Sequence, residues 1–255
     1  MPHFLATLIV ALLLMVLCWL VSLRLRDVSI VDTLWAPAFA IVAWTCAALV
    51  PHVAQRGWIA LGLISIWAIR LGGHVLSRWK RLGHEDYRYA EIRRKHGPNF
   101  ALTSLFWIFG LQGILLWIIS WPLQAAVVST ATLGFIDLLG TLVTLGGILM
   151  EGIADAQLTR FRAEPQNRDK VLKTGLWAWS RHPNYFGDFL IWWGMFVLAF
   201  EGGAPWWTIL GPVVMSALLL RVSGVSLLEE TITDRRPAYR EYIQRTSSFV
   251  PWPPS

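Results

Sequence analysis

Long apolar runs separated by short polar loops dominate the chain. Seven runs, at 4–23, 30–50, 58–77, 101–121, 131–152, 184–200 and 204–227, approach the ~20 residues that a helix needs to cross a bilayer. The pattern predicts an all-α, polytopic integral membrane protein with about seven transmembrane helices. Pro122 and Gly202-Gly203-Ala204-Pro205 punctuate helix ends, and Pro183 fixes a helix start. The sixth run is the shortest, and the preceding turn is expected to continue its lower part. The first run has no basic segment before it and no small-residue cleavage site. It is expected to stay as the first helix rather than be removed as a signal peptide.

Composition agrees with this class. Of 255 residues, 55% are hydrophobic and 15% charged, with 16 tryptophans and a mean hydropathy of +0.51. A soluble domain has about a quarter of its residues charged. Cys18 and Cys46 both lie inside apolar runs, where helix packing is expected rather than a disulfide. The chain lacks a Cys/His cluster at metal-ligand spacing and a Gly-rich phosphate loop, so neither a metal centre nor a soluble nucleotide-binding fold is expected.

Charge then orients the runs. Arg24 and Arg26 follow the first; Arg78, Lys80, Arg81, Arg88, Arg93, Arg94 and Lys95 follow the third. Arg160, Arg162, Arg168, Lys170, Lys173 and Arg181 follow the fifth; Arg235, Arg236, Arg240 and Arg245 follow the seventh. The alternate loops hold Arg56. This asymmetry predicts an N-terminus outside and a C-terminus in the cytoplasm. The net charge of +6 is thereby concentrated on one side, either as topology alone or as a phosphate-binding mouth. No nucleic-acid-binding module is recognisable. With no internal repeat, residues 1–255 are expected to form a single membrane domain.

Several ionisable groups interrupt the apolar runs, and a lone intramembrane carboxylate costs several kcal/mol unless paired or protonated. Asp32 lies near the inner end of the second run. Arg70 and His74 are four residues apart on one face of the third, which Arg78 continues. Glu151 and Asp155 are four apart in the fifth, with Thr159 and Arg162 extending their face, and Gln112 lies within the fourth. The stretch 173–201 opens with the polar, aromatic turn Ser180-Arg181-His182-Pro183-Asn184-Tyr185-Phe186-Gly187-Asp188. These groups either pair to pack helices or line one polar cavity open to the cytoplasm. In the second case Arg and Lys suit phosphates, Asn and Asp an amide or ribose, and Tyr, Trp and His stacking. That set fits an adenine-containing cofactor, and the apolar walls fit a lipid-like substrate from the bilayer. Asp32 and His74 are then the candidate catalytic acids.

The segment Leu172 to Phe189, with SRHPNYFGD, resembles the C-terminal domain of the steroid 5-alpha-reductase superfamily, where Pro-Asn-Tyr-Phe-Gly-Glu is typical. Similarity to its bacterial branch extends through Ser29-Ile-Val-Asp-Thr-Leu-Trp35, Glu85-Asp-Tyr-Arg-Tyr89 and Ser104-Leu-Phe through Leu111-Gln112-Gly113, and so over most of the chain. The resemblance implies a seven-helix fold in a bacterial inner membrane, with NADPH held in the cytoplasmic half. It also implies reduction of a C=C bond conjugated to a carbonyl. Residues 100–250 form the reductase-like part with the cofactor pocket. By position, Asn184 and Asp188 match the motif's cofactor-contacting Asn and acid. Asp155, Arg162 and Lys170 fall on its cofactor-binding Asp and basic residues, and Glu151 stands where the family has Asn. The Gln-Glu pair of animal steroid reductases is missing; Asp32 is the nearest carboxyl, and His74 falls about where the substrate-gripping Tyr would be.

A second resemblance competes. Arg181-His182-Pro183-x-Tyr185-x-Gly187, then Glu229-Glu230 and Tyr239-x-x-Tyr242, are similar to the motifs of isoprenylcysteine carboxyl methyltransferases and phospholipid methyltransferases. Those bind S-adenosylmethionine, which places Arg181, His182, Tyr185, Glu230 and Tyr239 among the cofactor candidates. A third alternative is a non-enzymatic lipid-binding membrane protein. A monomer satisfies all three.

Overall fold

The structure is a computed structural model that describes residues 2–222 and 239–254. Among the described residues the regular elements are helices, with no strand. They fall into two compact units, Met1–Gly134 with Leu198–Leu210, and Phe135–Val197 with Gly211–Ser255.

In the first unit, α1 (Pro2–Leu25), α2 (Val31–Ala48), α3 (Gln55–Leu82), α4 (Tyr87–His96) and α5 (Phe100–Ser104) follow one another. A π-helical turn at Leu105–Gly110 leads into α6 (Leu111–Ile119) and α7 (Trp121–Val128). Helices pack closest where a side chain is missing or rigid. A Cβ on Gly72 of α3 would stand 2.8 Å from Pro37 Cγ, so the interior proline of α2 nests on that glycine. Gly113 of α6 likewise faces Leu12 and Met15 of α1, at 3.1 and 3.3 Å. Phe39, Ile64, Trp67, Phe109 and Leu116 are fully buried, with the Phe39 and Trp67 rings 5.8 Å apart edge to face. Gly83, at φ 69°, closes α3 in the left-handed conformation that a glycine adopts without strain.

Pro122 corrects one expectation. It does not end the fourth run in a loop but lies in the first turn of α7, where its missing N–H costs no hydrogen bond. Pro122 through Val127 are all buried. Gln124 of α7 accepts from Thr7 Oγ1 at 2.8 Å and donates to Ser120 Oγ at 2.8 Å. Arg56, the lone basic residue of its side in the sequence, is fully buried. Its Nη1 donates to Ser129 Oγ at 2.9 Å and the Ala131 carbonyl at 3.0 Å, and Nη2 to the Thr132 carbonyl at 2.9 Å.

The second unit holds α8 (Phe135–Ala163), α9 (Pro183–Glu201) up to Val197, most of α10 (Leu210–Ala217), and α11 (Tyr239–Arg245). Here α8 and α9 touch through their backbones. A Cβ on Gly147 would lie 2.5 Å from the Gly187 carbonyl; one on Gly187 would lie 2.7 Å from Glu151 N and from the Gly147 carbonyl. Gly194 repeats the contact two turns on, 2.8 Å from the Gly140 carbonyl and Thr144 N. Small residues at such crossings replace the hydrophobic drive that lipid removes.

Five helices, His3–Leu25, Val28–Ala48, Gln55–Leu82, Tyr87–Ile119 and Phe135–Ala163, are long and apolar enough to cross a membrane. They correspond to the first five apolar runs. The outward residues Leu13, Leu17 and Leu20 of α1 and Leu138, Leu142 and Leu149 of α8 are exposed leucines, as a helix surface in hydrocarbon requires. The sixth run forms α9, which begins on the polar turn at Pro183 as expected. The seventh begins as a shorter apolar helix, Trp206–Arg221, and its last residues lie outside those described.

The α8–α9 crossing yields a paired test. Gly147→Ala is expected to lower stability by about 1–3 kcal/mol, because the new methyl meets backbone rather than a movable side chain. Its neighbour Gly146 has open space at the Cβ position, so Gly146→Ala should leave the melting temperature unchanged or raise it. Thermal unfolding of both variants in one detergent, followed by circular dichroism, checks the difference.

Candidate functional site

The polar residues singled out in the sequence gather in two places, one in each unit. In the first, Asp86 caps α4: its Oδ1 accepts from Arg88 N at 3.1 Å. The same carboxylate accepts from Arg88 Nε at 2.9 Å and from Nη2 at 3.2 Å. A guanidinium held flat in this way aims its Nη2 at Asp32, which accepts at 2.9 Å. Tyr89 Oη donates to the other Asp32 oxygen at 2.7 Å, and Gln112 of α6 is a further hydrogen-bond partner of Tyr89. Asp32 is thus held from the segment that follows α3. His74 is half-buried on α3, one turn before Arg78, whose Nη2 stands 4.0 Å from Asp86. Ser29, Asp32, Arg78 and Asp86 line a small recess with Val75, Trp79 and Leu82.

Two further carboxylates lock this arrangement. Glu85 receives Arg93 through both oxygens, at 2.7 and 2.8 Å, and also accepts from Val28 N at 2.8 Å. Asp27 accepts from Ser29 N and from Trp79 Nε1, both at 2.8 Å. Burial pushes the Asp86 carboxyl up, but its hydrogen bonds with Arg88 and the charges of Arg88 and Arg78 outweigh this. They hold it below its ordinary value of 3.8.

In the second unit, Glu151 and Asp155 lie one helical turn apart on α8 and are buried. Asn184 Nδ2 donates to Asp155 Oδ1 at 3.2 Å. Asp188 is buried one turn on from Asn184 and accepts from Trp192 Nε1 at 3.1 Å. The glycine crossing sets this register, since Gly187 sits directly against Glu151. Buried His182 stacks on Tyr185 with centroids 5.6 Å apart and planes within 6°.

Arg181 faces the C-terminal segment. Its N donates to the Ser247 carbonyl at 2.8 Å, and its Nη1 to the carbonyls of Ile243 at 3.0 Å and Thr246 at 2.7 Å. Ser180 Oγ donates to the Phe249 carbonyl at 2.8 Å, and Tyr242 Oη donates to the Trp177 carbonyl. Tyr239 is buried edge-on to Tyr242. Arg162, near the end of α8, and Lys170, in the following loop, are exposed. Glu230 lies outside the described residues. The structure therefore brings together Glu151, Asp155, Asn184 and Asp188, and gives Arg181 a structural task at their edge.

Arg88 and Tyr89 are the residues that sequence reasoning did not place in the site. Their signal was present: Glu85-Asp-Tyr-Arg-Tyr89 puts two acids, a helix cap and two donors within five residues. What the pattern could not supply was the partner, Asp32, more than fifty positions earlier.

The family described as "Protein of unknown function (DUF1295)" matches residues 18–246. The chain is also similar to "Uncharacterized protein C594.04c" of Schizosaccharomyces pombe (strain 972 / ATCC 24843). It is 24% identical to that protein over 263 residues, which cover 91% of this chain and 75% of the relative. No solved structure matches the chain.

Acid should open the Asp32–Arg88–Asp86 network in a defined direction. A carboxyl whose folded value is depressed contributes stability that is complete above its unfolded value and is lost as pH falls through the folded one. For Asp86 that window begins near 3.8 and extends below it. Asp86→Asn is expected to be less stable than wild type at pH 7 and to show a flatter loss of stability below pH ~4. Chemical unfolding over a pH series for both proteins measures this.

Proposed function

The chain belongs to the DUF1295 family, and from that premise we propose that it is a membrane reductase of the steroid 5-alpha-reductase kind. It uses NADPH to saturate a C=C bond conjugated to a carbonyl in a steroid- or isoprenoid-like lipid. The observation that carries this is the Tyr89 hydroxyl, 2.7 Å from Asp32, in a chain whose helices are otherwise apolar. An O–H donor beside a carboxylate that is already balanced by a guanidinium is the arrangement needed to polarise a lipid carbonyl. On substrate entry the Tyr89 O–H turns from Asp32 to the carbonyl oxygen and stabilises the enolate. Arg88 keeps the Asp32 charge compensated meanwhile, so Asp32 orients the donor. His74 lies on the adjacent helix face as a second candidate acid.

The residues of the second unit fit the cofactor's chemistry. Glu151, Asp155 and Asp188 are buried acceptors beside the amide of Asn184, suited to ribose hydroxyls and a carboxamide. Exposed Arg162 and Lys170 suit its phosphates. Bound NADPH would supply hydride to the carbon β to the carbonyl. The SRHPNYFGD resemblance supports the same assignment. We further read all seven apolar runs as spanning a bacterial cell membrane, with the N-terminus outside and the basic loops in the cytoplasm.

Calorimetry on one detergent-solubilised sample, titrated separately with NADPH and S-adenosylmethionine, tests the reading. Saturable NADPH binding that weakens in Asn184→Ala is expected. Saturable S-adenosylmethionine binding without NADPH binding would replace it with a methyltransferase, and binding of neither would remove the enzyme altogether. With a panel of enone lipids, Tyr89→Phe is expected to slow NADPH oxidation by roughly 10²–10⁴-fold at unchanged NADPH affinity. An equal loss of affinity would refute the proton-donor role.

A further inference from the structure

We propose that the cleft where α1 ends against α4 and α5 binds the phosphodiester headgroup of an anionic phospholipid from the surrounding bilayer. This cleft lies wholly within the first unit and does not depend on the reductase reading. Its volume is about 380 Å³, and it is lined by Ser22, Leu23, Arg26, Arg93, Phe100 and Ser104.

The local charges favour an anion. Arg26 is exposed, and its guanidinium makes no hydrogen bond or ion pair among the described residues. It stands at φ 54°, in the left-handed region, in a turn closed by Asp27 N donating to the Ser22 carbonyl at 3.1 Å. A non-glycine residue in that region is uncommon and marks a constrained position. Arg93 lies over the Phe100 ring, 4.4 Å from its centroid, with 39% of its side chain exposed. The neighbouring acids are committed: Glu85 to Arg93 and Val28 N, Asp27 to Ser29 and Trp79. With Glu85 neutralising Arg93, Arg26 remains as excess positive charge at the mouth.

A lipid fits better than a free anion because the rest of the lining is apolar and the place is right. The cleft lies at the end of the His3–Leu25 span, where acyl chains give way to headgroups. Leu23, Phe100 and Ala101 form its apolar wall, and Leu20, Leu102, Phe106 and Trp107 are exposed on the same segments. Ser22 Oγ and Ser104 Oγ donate to the Trp19 and Ala101 carbonyls at 2.7 and 2.9 Å. Their oxygens keep acceptor capacity for a hydroxyl-bearing headgroup such as glycerol. A phosphate held here also braces Arg93 and Glu85, and through them the segment that carries Arg88 and Tyr89 to Asp32.

The test uses the full chain in detergent, with thermal unfolding and native mass spectrometry. The probes are phosphatidylglycerol, phosphatidylcholine and inorganic phosphate. Phosphatidylglycerol is expected to be retained and to raise the melting temperature; the other two are expected to do neither. Arg26→Gln should weaken retention about tenfold, the loss of one charge-assisted contact. Arg26→Lys should restore most of it, and Arg26→Glu should abolish it. Unchanged retention in Arg26→Gln and Arg26→Glu overturns the site. Phosphatidylcholine retained as well as phosphatidylglycerol overturns its charge selectivity, and a melting shift with phosphate equal to that with lipid overturns the bilayer source.

Discussion

Where α8 crosses α9, a hydrogen stands in place of a side chain on both helices, and the backbones meet at Gly147 and Gly187. In water such a contact would be one packing detail among many. In a bilayer, where lipid tails are as apolar as leucine, close van der Waals contact between small residues is a main source of helix association. The crossing also fixes register. Because Gly187 lies against Glu151, the next turn of α9 brings Asn184 to Asp155. The spacing between the polar side chains of the second unit follows from the place where two helices can approach.

The first unit meets the other constraint on a membrane protein, which is that each ionisable group must be compensated. Removing one partner from a buried ion pair costs about 3–5 kcal/mol, mostly for the charge left behind. Arg56 meets the constraint with Ser129 and two loop carbonyls, and in the second unit Arg181 does so with the carbonyls of Ile243 and Thr246. These arginines act as struts between chain segments. Arg88 differs, because it spans two carboxylates and leaves the Tyr89 hydroxyl on Asp32. A proton donor in such a place is able to act on a ligand, whereas Arg56 has its charge enclosed by backbone. The same distinction separates Arg26, exposed at the mouth of an amphiphilic cleft, from the paired arginines around it.

Local chemistry was readable wherever cause and effect lie within a few residues. Pro183 opens α9 because its ring fits a first helical turn. Glu151 and Asp155 share a face because a helix repeats every 3.6 residues. Pro122 was read as a stop, although the same ring property makes it the start of α7. Only the presence of a further buried turn after it distinguishes the two. Arg181 was grouped with the cofactor candidates because it sits in the motif; its partners lie more than sixty positions later.

The sequence by itself determined that the chain is helical, that its apolar runs suit a bilayer, and which side chains are costly to leave unpaired there. Those conclusions rest on composition and on periods of a few residues, so no knowledge of the fold was needed. The tertiary structure decided the pairings: Asp32 with Arg88 and Tyr89, Asp155 with Asn184, Arg181 with the C-terminal carbonyls. It also assigned Gly147 and Gly187 to contact while Gly146, one position away, stays open. A hydrogen bond requires two groups within about 3 Å, and such distances between remote segments exist only once the helices have packed.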